Sequence, residues 1–280
     1  MIEDYIELAV KPFILIVEDR KDLRELESFV FKGLGCSVIV ASNPIDALKT
    51  FLSSPQLDLI FTDIDLLADY NKHDKSGVDI ARLIRQLNPE IPIVGYSSKF
   101  SEQELTKNEI SCFNRWYDKG SMDSIQLSDM FTEVTTMATL YKQNRFNLLR
   151  NIIDNVRMEN GTNENYENES KFIISQDYIP KIQIDETLKE TGFELYRVKP
   201  LQESKIKKDF VVWQKREDNY CEMEIYGYPN LWSVGLSEEE ALINLFVLMR
   251  KFYSDFKKIG LNEISTPISK QFVFLNNIFC

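Results

Sequence analysis

The sequence predicts an α/β protein: a five-stranded, doubly wound parallel sheet in its first half, followed by a smaller α+β domain. Three observations support this. Short apolar runs alternate with amphipathic stretches, as strands covered by helices on both faces require. Acidic residues stand directly after the first and third runs, at the strand ends where a sheet of this kind holds ligands. Beyond Asn160, residues alternating between apolar and charged replace the continuous apolar runs, which separates a second domain.

The expected strands are Phe13 to Val17, Ser37 to Ala41, Leu57 to Thr62, Ile91 to Tyr96 and Cys112 to Tyr117, each short and apolar enough to be buried on both faces. The first helix carries Leu23, Leu26, Phe29 and Val30 at helical spacing and ends near Gly33. The second starts at Asn43 and Pro44, proline being suited to a first helical position, and the third runs from about Val78 to Leu87. A long helical pattern from about Ser124 to Val156 follows, with Met130, Val134, Met137 and Tyr141 at alternating four- and three-residue steps. That stripe reads either as a short coiled-coil seam or as the face that packs the last helix on its own sheet. For its first part the second reading is favoured, and past Tyr141 the sheet should be left behind. The stretch from Asn160 to Ser170 is polar and acidic, too poor in aliphatic residues to offset its ordering entropy, and is expected to be flexible. The expected domains are therefore residues 1–140, a helical and flexible linker over 141–170, and an α+β output or interaction domain over 171–280.

In that last domain Cys221, Met223 and Ile225 alternate with Glu222 and Glu224, the pattern of a strand with one buried face. Phe193 to Val198, Phe210 to Trp213 and Phe272 to Leu275 also read as strands. From Ser237, with Glu240 in capping-box spacing, a helix carries Ala241, Leu242, Leu245, Phe246, Met249, Phe252 and Tyr253 on one face. An antiparallel sheet backed by this helix is the simplest packing.

Net charge of -11 and a pI near 4.8 oppose non-specific attraction to nucleic acid or an anionic membrane. No apolar run approaches the roughly 20 residues of a membrane-spanning helix, and the start, Met1-Ile2-Glu3-Asp4, is not that of a secretory signal, so a cytoplasmic location is expected. Cys36, Cys112, Cys221 and Cys280 lack paired spacing and His73 is the one histidine, which argues against a structural zinc site.

The chemistry is expected at the carboxyl ends of the strands. Glu18 and Asp19 follow the first strand and Asp63 the third, and an order-reversing topology sets these ends side by side. Three carboxylates, with a backbone carbonyl at Asp65 and waters, suit Mg2+, which prefers oxygen ligands. Such an ion lets a carboxylate nucleophile meet a phosphoryl group despite like charge. Ser97, ending the fourth strand, adds a hydroxyl donor, and Lys119, beyond the fifth, adds a cation.

These residues resemble the receiver domains of bacterial two-component systems, which have a flavodoxin-like fold, over about half the chain. The motifs are Ile14-Leu-Ile-Val-Glu-Asp19, Leu57-Asp-Leu-Ile-Phe-Thr-Asp63, Gly77-Val-Asp-Ile-Ala-Arg82, Ile91-Pro-Ile-Val-Gly-Tyr-Ser97 and Trp116-Tyr-Asp-Lys119. The resemblance implies that Asp63 takes phosphate from a histidine kinase or phosphotransfer protein. It further implies that Glu18 and Asp19 hold magnesium, that Ser97 and Lys119 contact the phosphoryl group, and that Trp116 is the switch aromatic. Two departures stand out. Gly120 replaces the proline that usually follows the lysine, so a more mobile loop is expected. The loop from Ile64 to Ser76, with Asp69, Tyr70, Asn71, Lys72, His73, Asp74 and Lys75, is several residues longer than is typical, and His73 is read as exposed rather than catalytic.

No pair of short helices with a basic recognition helix appears in the second half, and Lys205, Lys207 and Lys208 read as a solvated cluster. No nucleotide-binding glycine loop or paired-histidine motif supports an enzymatic output. The segment Gly227-Tyr-Pro-Asn-Leu-Trp-Ser-Val-Gly235 with the helix from Ser237 resembles the strand, turn and helix of small HicB-type antitoxin domains. An ordinary strand-to-helix junction explains it without that relationship. The preferred function is a non-enzymatic response regulator whose second half binds an unknown protein target, with a homodimer as one arrangement the switch would serve. The alternative is a DNA-binding transcriptional regulator with an atypical output domain.

Overall fold

A computed structural model describes residues 10–66, 74–98, 105–160, 172–175, 191–200, 206–228, 231–258 and 266–279. The chain divides into two compact units, one of Ala9–Asn144 and one that contains Arg145–Cys280.

In the first unit the strands β1 (Phe13–Val17), β2 (Ser37–Ala41), β3 (Leu59–Thr62), β4 (Ile93–Ser97) and β5 (Arg115–Asp118) form a parallel sheet in the order β2-β1-β3-β4-β5. The order reverses between β1 and β3, as a doubly wound sheet requires. The first two strands fall where the sequence reading put them, whereas the last three start two to three residues later. Asn114 shows why for the fifth: its carboxamide oxygen accepts from Ile93 N at 2.8 Å, so this side chain opens the β4/β5 ladder.

The helices are α1 (Lys21–Gly33), α2 (Pro44–Ser53), α3 (Ser76–Leu87), α4 (Lys107–Ile110) and α5 (Ser124–Asn160). Asn43 caps α2 by accepting from Asp46 N at 2.9 Å, with Pro44 first in the helix, as expected. The helix α4 is one turn, opened by a reciprocal capping box between Thr106 and Glu109.

The apolar stripe read on α1 is not the face that packs. Leu26 and Phe29 are exposed, and the buried residues are Glu27 and Phe31. Phe31 decides the rotation of the helix, because its ring meets Phe61 of β3 edge-on at 5.2 Å and Phe131 of α5 at 5.0 Å. Glu27, four residues earlier, lies on the same helix face and is carried inward with it.

On α5, Met130, Phe131, Val134 and Ala138 are buried in the core of the first unit, with Met137 packed against it. The first part of the stripe is therefore packing on the helix's own sheet. Lys142 is buried as well, donating to the carbonyl of Lys11 at 2.9 Å, with its ammonium 3.8 Å from the buried Asp58 carboxylate.

In the second unit, α5 residues Phe146, Leu149, Ile153 and Val156 are buried, so the helix from Arg145 on belongs to a core rather than to a linker. Residues 161–171, where the flexible stretch was expected, lie outside the described residues. The strands β6 (Phe172–Ser175), β7 (Phe193–Pro200), β8 (Phe210–Glu217), β9 (Tyr220–Ile225) and β10 (Trp232–Gly235) form an antiparallel sheet in the order β10-β9-β8-β7-β6. Two helices follow, α6 (Glu238–Lys258) and α7 (Thr266–Phe279). Half of the capping box expected at α6 is present: Glu240 N donates to Ser237 Oγ at 3.1 Å, whereas Glu240 Oε2 accepts at 2.7 Å from Leu236 N, one residue before the cap, instead of from Ser237 N.

Two expectations for this unit fail. Phe272 to Leu275 is helical, inside α7, with Gln271, Leu275 and Ile278 buried at steps of four and three. A four-residue apolar run carries too little periodicity to distinguish strand from helix. The strand β9 is buried on both faces instead of one, Glu222 and Glu224 included. Register sets Glu224 between Trp213 and Trp232, and Phe146 packs against Tyr220 at 5.6 Å and Trp232 at 5.5 Å, so aromatic side chains cover that second face. Lys207 and Lys208 are exposed, as expected, and Lys205 lies outside the described residues. Among the described residues no helix is long and apolar enough to cross a membrane.

Candidate functional site

The sheet order brings the acidic strand ends together. Val17 pairs with Thr62, so Glu18 and Asp19 after β1 and Asp63 after β3 reach one edge. Asp63 N donates to Val17 O at 2.8 Å, continuing the ladder one residue past the strand. From the other side, Ser97 pairs with Asp118, and Lys119 N donates to Ser97 O at 2.8 Å, which aims the Lys119 side chain back over the same edge.

The Lys119 ammonium donates to Glu18 Oε2 at 2.6 Å and to Asp63 Oδ2 at 2.9 Å, and it lies 4.4 Å from the centre of the Tyr96 ring. A third carboxylate, Glu27, stands 3.9 Å from it. These side chains are largely sealed from water, with 10% of Lys119, 11% of Asp63 and 1% of Glu18 exposed. Asp63 is held by its other oxygen: Oδ1 accepts from Ile64 N at 2.6 Å and from Asp65 N at 3.2 Å. One carboxylate oxygen is thus fixed by backbone, and the other faces the cation.

Burial sets the electrostatics. It pushes the Glu18 carboxyl up to about 7 and the Glu27 carboxyl up to about 8, despite the opposing attraction of Lys119, and the neighbouring carboxylates add to the rise. Burial alone would lower the Lys119 ammonium, but Asp63, Glu18 and Glu27 outweigh it and hold it above the ordinary lysine value.

The loop after β3 is closed by α3. Gly77 N donates to Ile64 O at 2.8 Å, and a Cβ at position 77 would stand 2.1 Å from the Asp63 carbonyl oxygen. Only glycine permits that approach. Residues 67–73 of the loop, with His73, lie outside the described residues. After Lys119 the turn is tied down by Gly120 N donating to Asp118 Oδ1 at 2.8 Å, so a carboxylate does part of what a proline ring would do in this loop.

Not every expected residue joins the cluster. Asp19 is half-buried, and its carbonyl accepts from Arg24 Nη1 at 3.1 Å, but its carboxylate is not drawn to Lys119. Asp65 gives the site its N–H, which donates to Asp63 Oδ1. Ser97 is buried at the right edge and contributes its carbonyl to Lys119 N. Glu27 is a further member that the sequence does not signal, because it turns inward only through the seating of Phe31.

Trp116 lies half-buried on β5, against Gly95 of β4 and edge-on to Phe113 at 5.9 Å. A Cβ at position 95 would be 2.6 Å from the indole ring, so the absence of a side chain there makes the seat. Gly95→Ala is expected to lift the indole from it, shifting the Trp116 component of the fluorescence, measured against Trp116→Phe, to longer wavelength. An unchanged spectrum would show that the seat is not tight.

The donor chemistry suits a hard cation, since two carboxylates converge on one charged point. Among the described residues, however, no three acidic, histidine or cysteine side chains gather closely enough to hold a metal ion. The cation between Glu18 and Asp63 is Lys119 itself.

Residues 14–111 match the family model of the response regulator receiver domain. The autoinducer 1 sensor kinase/phosphatase LuxN of Vibrio campbellii is 31% identical over 94 residues, 34% of this chain and 10% of that protein. The transcription factor SKN7 of Chaetomium thermophilum is 28% identical over 96 residues, 34% of this chain and 12% of that protein. The match thus spans about a tenth of the length of these relatives. Among solved structures, a response regulator receiver domain (CheY-like) from Methylobacillus flagellatus is 23% identical, with a TM-score of 0.37, covering 45% of this chain and 99% of that one. The family match and the sheet order agree: residues 14–111 of this chain belong to the response regulator receiver domain family of two-component signalling.

Proposed function

We propose that the chain is a two-component response regulator in which Asp63 accepts a phosphoryl group from a histidine kinase or phosphotransfer protein, and in which the second unit is a protein-interaction module. The observation that carries this is the Asp63 carboxylate, fixed by two backbone N–H groups on Oδ1 and paired with the Lys119 ammonium on Oδ2. A carboxylate oxygen so oriented forms the new P–O bond while the bond from phosphorus to the donor breaks. Lys119 offsets charge on the phosphoryl oxygens, and the Ser97 hydroxyl at the same edge is a further donor to them. Magnesium held by Glu18, Asp19 and Asp63, with the Asp65 carbonyl, would supply the remaining charge compensation.

The second unit supports an interaction role through what it is built of. Its two C-terminal helices are 21 and 14 residues long and follow an antiparallel sheet, which is unlike a helix pair that presents a recognition helix. Trp116, three residues before Lys119, is the side chain we assign to transmit the change, because a lysine drawn onto a phosphoryl group pulls on β5. We place the protein in the cytoplasm, where such kinases act on their partners.

The test is labelling by acetyl phosphate in magnesium. The wild type is expected to form an acid-stable, base-labile phosphoprotein, and Asp63→Asn to lose it entirely. Undiminished labelling of Asp63→Asn would sink the assignment.

A further inference from the structure

Glu27 has no part in the chemistry described so far, and its burial is costly. A carboxylate on a helix face that otherwise buries Phe31 would be replaced by an apolar residue if packing alone mattered. Its surroundings give a reason for it. The Lys119 ammonium fills the point on which Glu18 and Asp63 converge, so a divalent cation can use those carboxylates only by displacing it. The ammonium sits in a nearly sealed pocket, 4.4 Å from the centre of the Tyr96 ring, where a charge that lost these partners would be expensive. Among the described residues Glu27 is a further carboxylate within reach, 3.9 Å away and 4% exposed, and its place on α1 is fixed by the seating of Phe31.

We propose that Glu27 is a positioning residue for Lys119, a second carboxylate berth that receives the ammonium when a divalent cation takes Glu18 and Asp63. The berth keeps Lys119 in the pocket, one short movement from the acceptor, while relieving its competition with the cation. It rests on the proposed magnesium site. It goes beyond that site in naming a residue outside the ligand set that governs how readily the ion enters.

The experiment is calorimetric titration of the full chain with magnesium chloride at pH 9, above the raised Glu27 value. Glu27→Gln keeps the shape and removes the charge. It is expected to weaken magnesium binding about fivefold, the size of a coupling between charges in one network. In a Lys119→Ala background the same substitution is expected to change nothing, because there is no ammonium left to relocate. Glu27→Asp, which restores the charge on a shorter stem, should recover part of the affinity. Equal weakening in both backgrounds would mean that Glu27 acts on the ion or on the fold directly, and would overturn the berth; so would unchanged binding in Glu27→Gln. A wild type that binds no magnesium would overturn the metal site itself and the berth with it, an outcome separate from those that overturn the berth alone.

Discussion

Gly77→Ala is expected to destabilise the receiver unit by about 3 kcal/mol, the upper end of overpacking costs, and to slow labelling of Asp63 in whatever remains folded. The added Cβ would stand 2.1 Å from the Asp63 carbonyl oxygen, 2.6 Å from Ile64 Cα and 2.9 Å from the Asp63 carbonyl carbon. All three are backbone atoms, so no side chain can swing aside, and either the first turn of α3 or the end of β3 must move. The end of β3 is what presents Asp63, and the following N–H groups of Ile64 and Asp65 are what hold its Oδ1. A shift of a few tenths of an ångström there reaches the Asp63 carboxylate directly. Gly33→Ala is the control, since nothing lies within 4 Å of a Cβ at that position, and replacing a helical glycine should be neutral or slightly stabilising. Denaturant unfolding and hydrogen exchange of residues 62–66 would measure both. If the two variants behave alike, the junction is looser than described.

How much of this was legible in the sequence varies with the physics behind each feature. The parallel sheet was, because strands buried on both faces, as β1, β3 and β4 are, write themselves as continuous apolar runs, and because the strand ends that carry Glu18, Asp19 and Asp63 share an edge only if β1 and β3 are neighbours, as they are. Asp63 and Lys119 were legible as residue types at strand ends, and their pairing at 2.9 Å follows from topology. The α1 face was not legible. Leu26 and Phe29 are as apolar as any core residue, yet they are exposed, and what turns the helix is the fit of one ring, Phe31, between Phe61 and Phe131. Such a fit depends on residues separated by a hundred positions and leaves no periodic trace. Glu27 was hidden for the same reason, since a glutamate on a helix reads as solvated until the helix is rotated. The reading of β9 as half-exposed failed on Glu222 and Glu224, because alternation reports hydrophobicity and says nothing of a polar face that another element covers. Gly77 falls within a recognisable motif, but the reason for glycine there is a backbone contact that only three dimensions reveal.

With divalent cations removed, stability of the receiver unit is expected to fall by several kcal/mol as pH rises from about 4.5 to about 8, and to level off above that. Glu18 and Glu27 set the window. Their carboxyls are raised from the ordinary 4.5 to about 7 and about 8, chiefly by burial. Below about 4.5 both are protonated whether the chain is folded or not, so the stabilisation that comes with the raised values is fully present. Between 4.5 and 8 the folded state keeps protons that the unfolded state has released, and stability is lost as the pH rises through the folded values. Lys119 works in a different range, since its raised value affects only pH beyond that of ordinary lysines. Glu27→Gln removes the larger of the two contributions and is expected to be more stable than the wild type at pH 8, with little difference at pH 4.5. Calorimetric melting in chelator at both pH values measures this, the transition that responds to Glu27→Gln being that of the receiver unit. A wild type whose receiver transition is flat across the range would mean that water or a mobile Lys119 solvates these carboxylates far better than their burial implies. If the fall is found, the pocket holds its acidic cluster at a real loss of stability. Such a loss is tolerable where the cluster serves a ligand, and natural proteins retain destabilised sites where function requires them.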